Sequence, residues 1–219
     1  MKDMKIFSKK EIIPIVLIII AFIVGLQLYP QLPEQMPSHW NAQGEIDAWS
    51  GKGFAVWFPP LLALAVYLLM TFLPLIDPLK KRYKEFINYY FGIKLLLVIF
   101  LLALYGFTLA VGLGAKLNIL YFILPAISIL FIIIGLFLPK IKKNYFVGIR
   151  TPWTIHSEEV WNQTHKTAGK FFVVAGIIAL LGLFIQRYAF GIFMIAILAA
   201  SFGSVIYSYL VFRKIGEKK

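Results

Sequence analysis

The stretch of sequence that decides the fold is residues 117–139, which read LNILYFILPAISILFIIIGLFLP and contain no Asp, Glu, Lys or Arg. About 20 consecutive apolar residues form a helix long enough to cross the hydrocarbon core of a bilayer, which is about 30 Å thick. Five further runs lack these charged residues: Ile12–Pro33, Gly53–Ile76, Leu95–Ala115, Phe171–Gln186 and Tyr188–Phe212. The sequence therefore predicts an all-α fold, a polytopic membrane helix bundle with six transmembrane helices.

The composition excludes a soluble enzyme. Hydrophobic residues make up 60% of the 219 residues, charged residues make up 15%, and the mean hydropathy is +0.82, whereas soluble domains are about 25% charged. Cysteine is absent, so thiolate chemistry and disulfides are excluded. The six runs also lack histidine, which argues against a proton-coupled carrier or an intramembrane protease, because both need ionisable groups inside the membrane. We predict a protein that is not an enzyme and needs no cofactor.

The chain has a net charge of +12, and its Lys and Arg residues alternate between rich and poor segments along the sequence. Four Lys or Arg residues lie in the N-terminal tail, four in the second loop, six in the fourth loop and four in the C-terminal tail. The first, third and fifth loops contain one each, at Lys52, Lys116 and Arg187. By the positive-inside rule both termini are cytoplasmic. The basic residues form short clusters at span ends, which favour contacts with anionic membrane lipids and no direct nucleic-acid binding.

Lys94 is the one remaining cation, and it lies directly before the third run. If the third helix begins near Ile87, Lys94 sits two turns inside it. If the span is Leu95–Ala115 alone, Lys94 lies at the cytoplasmic interface. We favour the interface, because that run is already long enough to cross the membrane.

Two loops are longer and richer in polar and aromatic residues than the others. We assign the first, residues 30–52, to an N-terminal two-span unit (residues 1–86), and the second, residues 140–170, to a C-terminal four-span unit (residues 87–219).

The first of these loops is predicted to lie outside the cell. Its closely spaced prolines disfavour helix, and Asn41-Ala42-Gln43-Gly44 predicts a turn in which Gly44 has a positive φ. Trp40 and Trp49 suit the headgroup region. His39, Glu45 and Asp47 could ligate a metal, but a lone His with two carboxylates is a weak signal, and we predict no metal. The loop is either a structured cap on the outer surface or a docking surface for an extracellular ligand.

The second of these loops is predicted to be cytoplasmic. Ser157 is a typical N-cap, and Glu158 and Glu159 suit the first turn of a helix that runs towards the fifth span. Glu158, Trp161, Asn162 and His165 fall on one face of that helix. There is no HExxH spacing, so we favour a lid helix in the headgroup plane, anchored by Trp153 and Trp161, over a catalytic site.

Both loops resemble the signatures of the SdpI-like family of bacterial multipass membrane proteins. The first signature is Leu32-Pro33-Glu34 followed by Pro37-x-His39-Trp40-Asn41-x-x-Gly44-x-x-Asp47. The second is Val147-Gly148-Ile149-Arg150-Thr151-Pro152-Trp153-Thr154, then Ser157-Glu158-Glu159-Val160-Trp161 and Thr164-His165. The resemblance implies a plasma-membrane immunity protein that protects its producer against a secreted, membrane-active peptide toxin. It also implies a signalling role, in which the toxin-bound protein holds a small cytoplasmic transcriptional repressor at the membrane.

On this hypothesis each loop carries one set of functional residues. We place the toxin contacts at His39, Trp40, Asn41 and Asp47. We place coupling to a cytoplasmic partner, or bracing of the helices, at Arg150, Thr151, Pro152, Trp153, Glu158, Trp161 and His165.

Two other functions stay open at this point. One is a small transporter or lipid-interacting protein that uses the cytoplasmic loop as a gate, which would require polar side chains facing one cavity. The other is a membrane enzyme built on His156, Glu158, Glu159 and His165.

Overall fold

A computed structural model describes residues 8–216 of the chain. Within them, six helices are long and apolar enough to cross a membrane, which confirms the predicted bundle of six transmembrane helices. The helices are α1 (Ile12–Leu28), α2 (Lys52–Ile76), α3 (Tyr83–Gly112), α4 (Leu120–Phe137), the short α5 (Pro152–His156), α6 (Glu158–Gly182) and α7 (Ala189–Gly216). An antiparallel hairpin of β1 (Gln35–Trp40) and β2 (Ile46–Gly51) lies between α1 and α2. The predicted topology signals Lys2, Lys5, Lys218 and Lys219 lie outside the described residues.

The surface of the helices is apolar. Large side chains such as Leu26, Phe202 and Ile195 are more than 60% exposed, and in water such a surface would be strongly unfavourable. Helices satisfy all of their backbone hydrogen bonds internally, so they can present these side chains to lipid. The chain is therefore a multipass membrane protein.

The chain divides into two compact units. The first contains the residues up to Phe72 together with Lys94–Ile123, and the second contains Leu73–Ile93 together with the residues from Leu124 onward. The organisation into residues 1–86 and 87–219, which we based on spans and loops, stays a prediction.

The core of the first unit lies where the hairpin meets the ends of its helices. Leu32 and Met36, which flank the start of β1, are buried against Val56 of α2 and against Tyr105 and Leu109 of α3. The loop after α1 therefore contributes to the core of the bundle, because its two apolar side chains are removed from solvent.

Lys94 is buried inside helix α3, and its predicted place at the cytoplasmic interface of the membrane stays a prediction. Phe86 has non-helical φ and ψ angles of −135° and 18°, so regular helix begins at Ile87 and Lys94 lies two turns inside it. The Lys94 side chain is 3% exposed, and its Nζ donates to both carboxylate oxygens of Glu11 at 2.7 Å and to Thr71 Oγ1 at 3.2 Å. A buried ammonium requires such partners, and Glu11 is too distant in sequence for helical spacing to indicate the pair.

In the second unit, small residues bring helices together. Ala175 of α6 packs against Ala196 and Ala200 of α7. Gly135 of α4 and Gly169 of α6 approach so closely that a Cβ on either would overlap the backbone of the other. Membrane helices associate through this kind of close backbone packing.

Candidate functional site

The tip of the hairpin is the predicted turn, and the structure confirms it. Asn41 Oδ1 accepts hydrogen bonds from the backbone N–H groups of Gln43 at 3.0 Å and Glu45 at 2.9 Å. Asn41 Nδ2 donates to Glu45 Oε2 at 3.1 Å. Gly44 adopts a φ of 82°, a conformation that glycine reaches without strain. Asn41 therefore shapes the turn with its side chain.

The base of the hairpin is held by Lys52, the first residue of α2. Its Nζ lies 2.8 Å from Glu34 Oε1 and 4.7 Å from the centre of the Tyr29 ring. Its backbone N–H donates to Glu34 O at 2.9 Å. The segments entering and leaving the hairpin are thus tied to the same residue.

The four predicted toxin-contact residues lie on one hairpin but differ in exposure and in the contacts that they make. His39 Nδ1 and Asp47 Oδ1 are 2.5 Å apart and exposed, while Asn41 is committed to the turn. Trp40 is half-buried, with its ring centre 5.9 Å from that of Phe107 in an edge-on contact. Trp49 is 56% exposed. Across residues 8–216, no three His, Asp or Glu side chains come together as a metal site.

A groove of about 270 Å³ lies between the hairpin, α2 and α3. Its walls include Trp40, Ser50, Phe54, Phe58, Leu104 and Tyr105. No charged residue belongs to the described lining. The Ser50 hydroxyl is buried and has no hydrogen-bond partner among the described residues, and a group in this state is a candidate for bonding to a ligand. Sequence reasoning found Trp40 but missed the groove, because most of its walls come from two separate spans.

The second signature forms a compact loop between α4 and α6, residues 141–157, which we call the motif loop. Ser157 caps α6 as predicted, since its side chain accepts from the Val160 N–H. The predicted lid helix in the headgroup plane is wrong, because α6 runs without a break from Glu158 to Gly182. Only the five-residue helix α5 precedes it.

Trp161 is a core residue and does not anchor the protein in headgroups, contrary to the prediction. It is fully buried, its Nε1 donates to Ile141 O at 2.9 Å, and its ring stacks on His165 at 4.0 Å. His165 Nε2 accepts from the Ile149 N–H at 3.0 Å, while its Nδ1 lies 2.8 Å from Trp161 O. An accepting Nε2 and a donating Nδ1 define a neutral imidazole. Both nitrogens are occupied by backbone groups, so His165 is unavailable for acid–base chemistry.

Gly148 makes this cluster possible. Its φ is 116°, a region that side chains other than glycine's rarely adopt. A Cβ at this position would overlap the ring of His165 and press on that of Trp161. The glycine therefore lets the motif loop pass directly over the two rings.

Trp153 is half-buried and packs on α7, and its predicted role as a headgroup anchor stays a prediction. Its Nε1 donates to Ser208 Oγ at 2.7 Å, and its ring packs against Tyr209 and Phe212 of α7. Thr151 forms a capping box with Thr154 at the start of α5, which explains why these two residue types surround the Pro-Trp pair. These contacts fix the motif loop to α7.

The remaining predicted coupling residues lie at the surface. Arg150 is exposed and donates to Tyr145 O at 2.7 Å, and Pro152 is exposed. Glu158 is bound through both of its carboxylate oxygens to the guanidinium of Arg82. Arg150 and Pro152 are therefore accessible to another molecule, while Glu158 joins the start of α6 to the turn before α3.

Sequence reasoning missed a second buried polar group, Asp77. Its carboxylate accepts from the Leu79 N–H at 2.6 Å, from Tyr83 Oη at 3.0 Å and from the Tyr145 N–H at 2.9 Å. Asn144, also buried, accepts from the N–H groups of Phe146 and Val147. The available signal was an Asp directly after an apolar run, and its partners lie too far along the chain to be paired with it by spacing.

Two family models match the parts of the chain that contain the hairpin and the motif loop. The SdpI/YfhL protein family matches residues 140–210, which include the whole motif loop, and a domain of unknown function, DUF1648, matches residues 16–64, which include the hairpin. The chain is 31% identical over 212 residues to a Bacillus subtilis (strain 168) protein named immunity protein SdpI. That similarity covers 96% of this chain and 100% of the relative. No solved structure matches the chain.

Proposed function

The chain belongs to the SdpI family, and from this membership we propose that it is a membrane immunity protein that confers resistance to a secreted, membrane-active peptide toxin. The observation that carries the proposal is the full-length similarity to an immunity protein, because it includes both the hairpin and the motif loop. We place the protein in the bacterial plasma membrane with both termini in the cytoplasm, as its Lys and Arg distribution predicts.

The hairpin is the proposed toxin-contacting element. It is held at the tip by Asn41 and at the base by Lys52, so it offers a pre-formed surface, which lowers the entropic cost of binding. His39 and Asp47 are exposed on it and can form hydrogen bonds with a peptide. Trp40 offers an aromatic face, and Asn41 contributes by keeping the turn in shape.

The motif loop is the proposed coupling element for a cytoplasmic partner such as a transcriptional repressor. Arg150 and Pro152 are its accessible predicted residues. Thr151, Trp153, Glu158, Trp161 and His165 hold the loop against the helices through the contacts described above. A rigid loop with two exposed positions suits a role in binding a partner and gives no support to a catalytic role.

A survival assay tests the immunity proposal. The full chain is expressed in bacteria sensitive to the secreted peptide toxin that corresponds to the Bacillus subtilis immunity protein, and survival is compared with cells carrying an empty vector. We expect protection by the intact protein, reduced protection by Trp40→Ala, and full protection by Trp49→Ala, because Trp49 is exposed and does not line the groove. Absence of protection by the intact protein at wild-type membrane abundance would remove the immunity proposal.

A further inference from the structure

We propose that the groove beneath the hairpin holds one large apolar side chain of a peptide, and that the peptide's main chain bonds to the hydroxyl of Ser50. This inference rests on the proposed immunity function, since the peptide is then the toxin. It assigns to the groove a chemical class of ligand and a mode of binding.

The size of the groove suits a part of a ligand. Pockets that enclose a whole small molecule are about 300–1,000 Å³, whereas this groove is about 270 Å³ and open on one side. Trp40, Phe54 and Phe58 contribute aromatic walls, and aromatic surfaces pack well against apolar or aromatic side chains. One bulky side chain therefore fills the groove better than a complete cofactor or metabolite.

The uncharged lining of the groove limits the chemical class of the ligand. The described residues that line it are all uncharged, and a charged group placed there would lose its hydration without gaining a partner. The inserted group is thus neutral and apolar.

Ser50 distinguishes a peptide from a lipid tail. Its Oγ is buried without a partner, and burial of an unsatisfied hydroxyl is unfavourable. An acyl chain offers neither a hydrogen-bond donor nor an acceptor. A peptide bond offers both, so a peptide can satisfy Ser50 while one of its apolar side chains fills the rest of the groove.

The exposed wall indicates how the ligand enters. Phe54 is 57% exposed, Phe58 45% and Leu62 37%, and all three lie in the first three turns of the membrane-spanning helix α2. The groove therefore opens sideways along a helix that contacts lipid, next to the hairpin. A peptide already dissolved in the membrane surface can reach it, which agrees with a membrane-active toxin.

Photo-crosslinking in membranes tests the inference. A photoreactive phenylalanine analogue replaces Phe58 inside the groove or, as a control, Trp49 outside it. The full chain is reconstituted in vesicles of phosphatidylglycerol and phosphatidylethanolamine with the synthetic toxin peptide. We expect peptide adducts from position 58 and few from position 49. Adducts of position 58 with lipid alone, or equal peptide labelling from both positions, would overturn the inference.

A binding measurement tests Ser50 separately. Ser50→Ala should weaken binding of the peptide to the reconstituted protein about fivefold, the effect of one neutral hydrogen bond. Gln43→Ala, an exposed turn substitution outside the groove, should leave affinity unchanged. An unchanged affinity for Ser50→Ala would contradict the role of its hydroxyl. If the intact protein protects cells yet these two tests fail, only the groove is wrong; if the intact protein does not protect, the immunity function itself fails.

Discussion

At the scale of single residues, the pair of Lys94 and Glu11 shows how this bundle accommodates charge. Both side chains are less than 10% exposed and are joined by two hydrogen bonds of 2.7 Å. Lys94→Met or Glu11→Gln removes one partner and should lower the free energy of unfolding by about 3–5 kcal/mol, because an unpaired charge stays buried. Thermal unfolding of the detergent-solubilised protein measures this loss.

The matched comparisons for this pair are a double variant and a surface pair. Glu11→Leu combined with Lys94→Met removes both charges and should be close to wild type in stability. Arg82→Ala breaks a pair whose side chains are 22% and 50% exposed, and should cost no more than about 1 kcal/mol. A double variant as unstable as the single ones would show that the pair is not the source of the effect.

Gly148 is a second position at which a single substitution should change the stability of the protein. Gly148→Ala should lower the free energy of unfolding by about 1–3 kcal/mol from backbone strain alone, because alanine is strained at a φ of 116°. The overlap of its Cβ with the rings of His165 and Trp161 should add to this loss. Gly191→Ala is the control, since a Cβ on this helical residue meets open space and should stabilise by about 0.5–1 kcal/mol. Equal unfolding temperatures for the two variants would contradict the packing described for the motif loop.

Residue-level predictions from the sequence succeeded where the cause is local. The turn at Asn41–Gly44 and the Ser157 cap depend on neighbours within four positions, and both are confirmed. The environments of Lys94 and Trp161 depend on Glu11 and Ile141, which lie 83 and 20 positions away. No spacing rule links residues at such distances, so the ion pair of Lys94 was not predicted and the headgroup role predicted for Trp161 was wrong.

At the scale of elements, the hairpin depends on the side chain of Asn41. Asn41→Ala removes both hydrogen bonds to the Gln43 and Glu45 amides, and these amides should then exchange with deuterium faster than in the wild type. Ala42→Ser, a neighbouring exposed substitution, is the control and should leave exchange unchanged. Unaltered protection in Asn41→Ala would mean that the turn is held by the strands alone.

The hairpin itself escaped sequence analysis for identifiable reasons. Pro37 lies within β1 and the pairing shifts register around His39, so the alternation of apolar and polar residues that marks a strand is lost. In α6, Lys166 and Lys170 led us to place the start of the fifth membrane span at Phe171. The helix nevertheless continues to Glu158, because its earlier turns bury Trp161 and His165 in the protein.

At the scale of the whole molecule, orientation can be measured directly because the chain has no cysteine. A cysteine at Gln43, in the exposed turn, should react with a membrane-impermeant maleimide added to intact cells. A cysteine at Tyr145, which is 43% exposed in the motif loop, should react only after the cells are permeabilised. The reverse pattern would invert the topology that the positive-inside rule predicts.

The six spans were predictable because hydrophobicity is a property of each segment by itself. Compact units depend in addition on packing between spans, and the organisation into residues 1–86 and 87–219 stays a prediction. The first unit joins Lys94–Ile123 to residues before Phe72, and that choice depends on side-chain packing between helices distant in sequence. The groove could not be predicted from the sequence either, because its walls come from the hairpin, α2 and α3, which are brought together only by packing.

The junction between β2 and α2 has a mechanical consequence. β2 ends at Gly51 and α2 begins at Lys52, so no linker residue separates the strand from the helix. A molecule that tilts the hairpin must therefore also displace the first turn of α2. Thr71, about 28 Å farther along the same helix, accepts a hydrogen bond from Lys94, so α2 is the covalent connection between the hairpin and the buried ion pair.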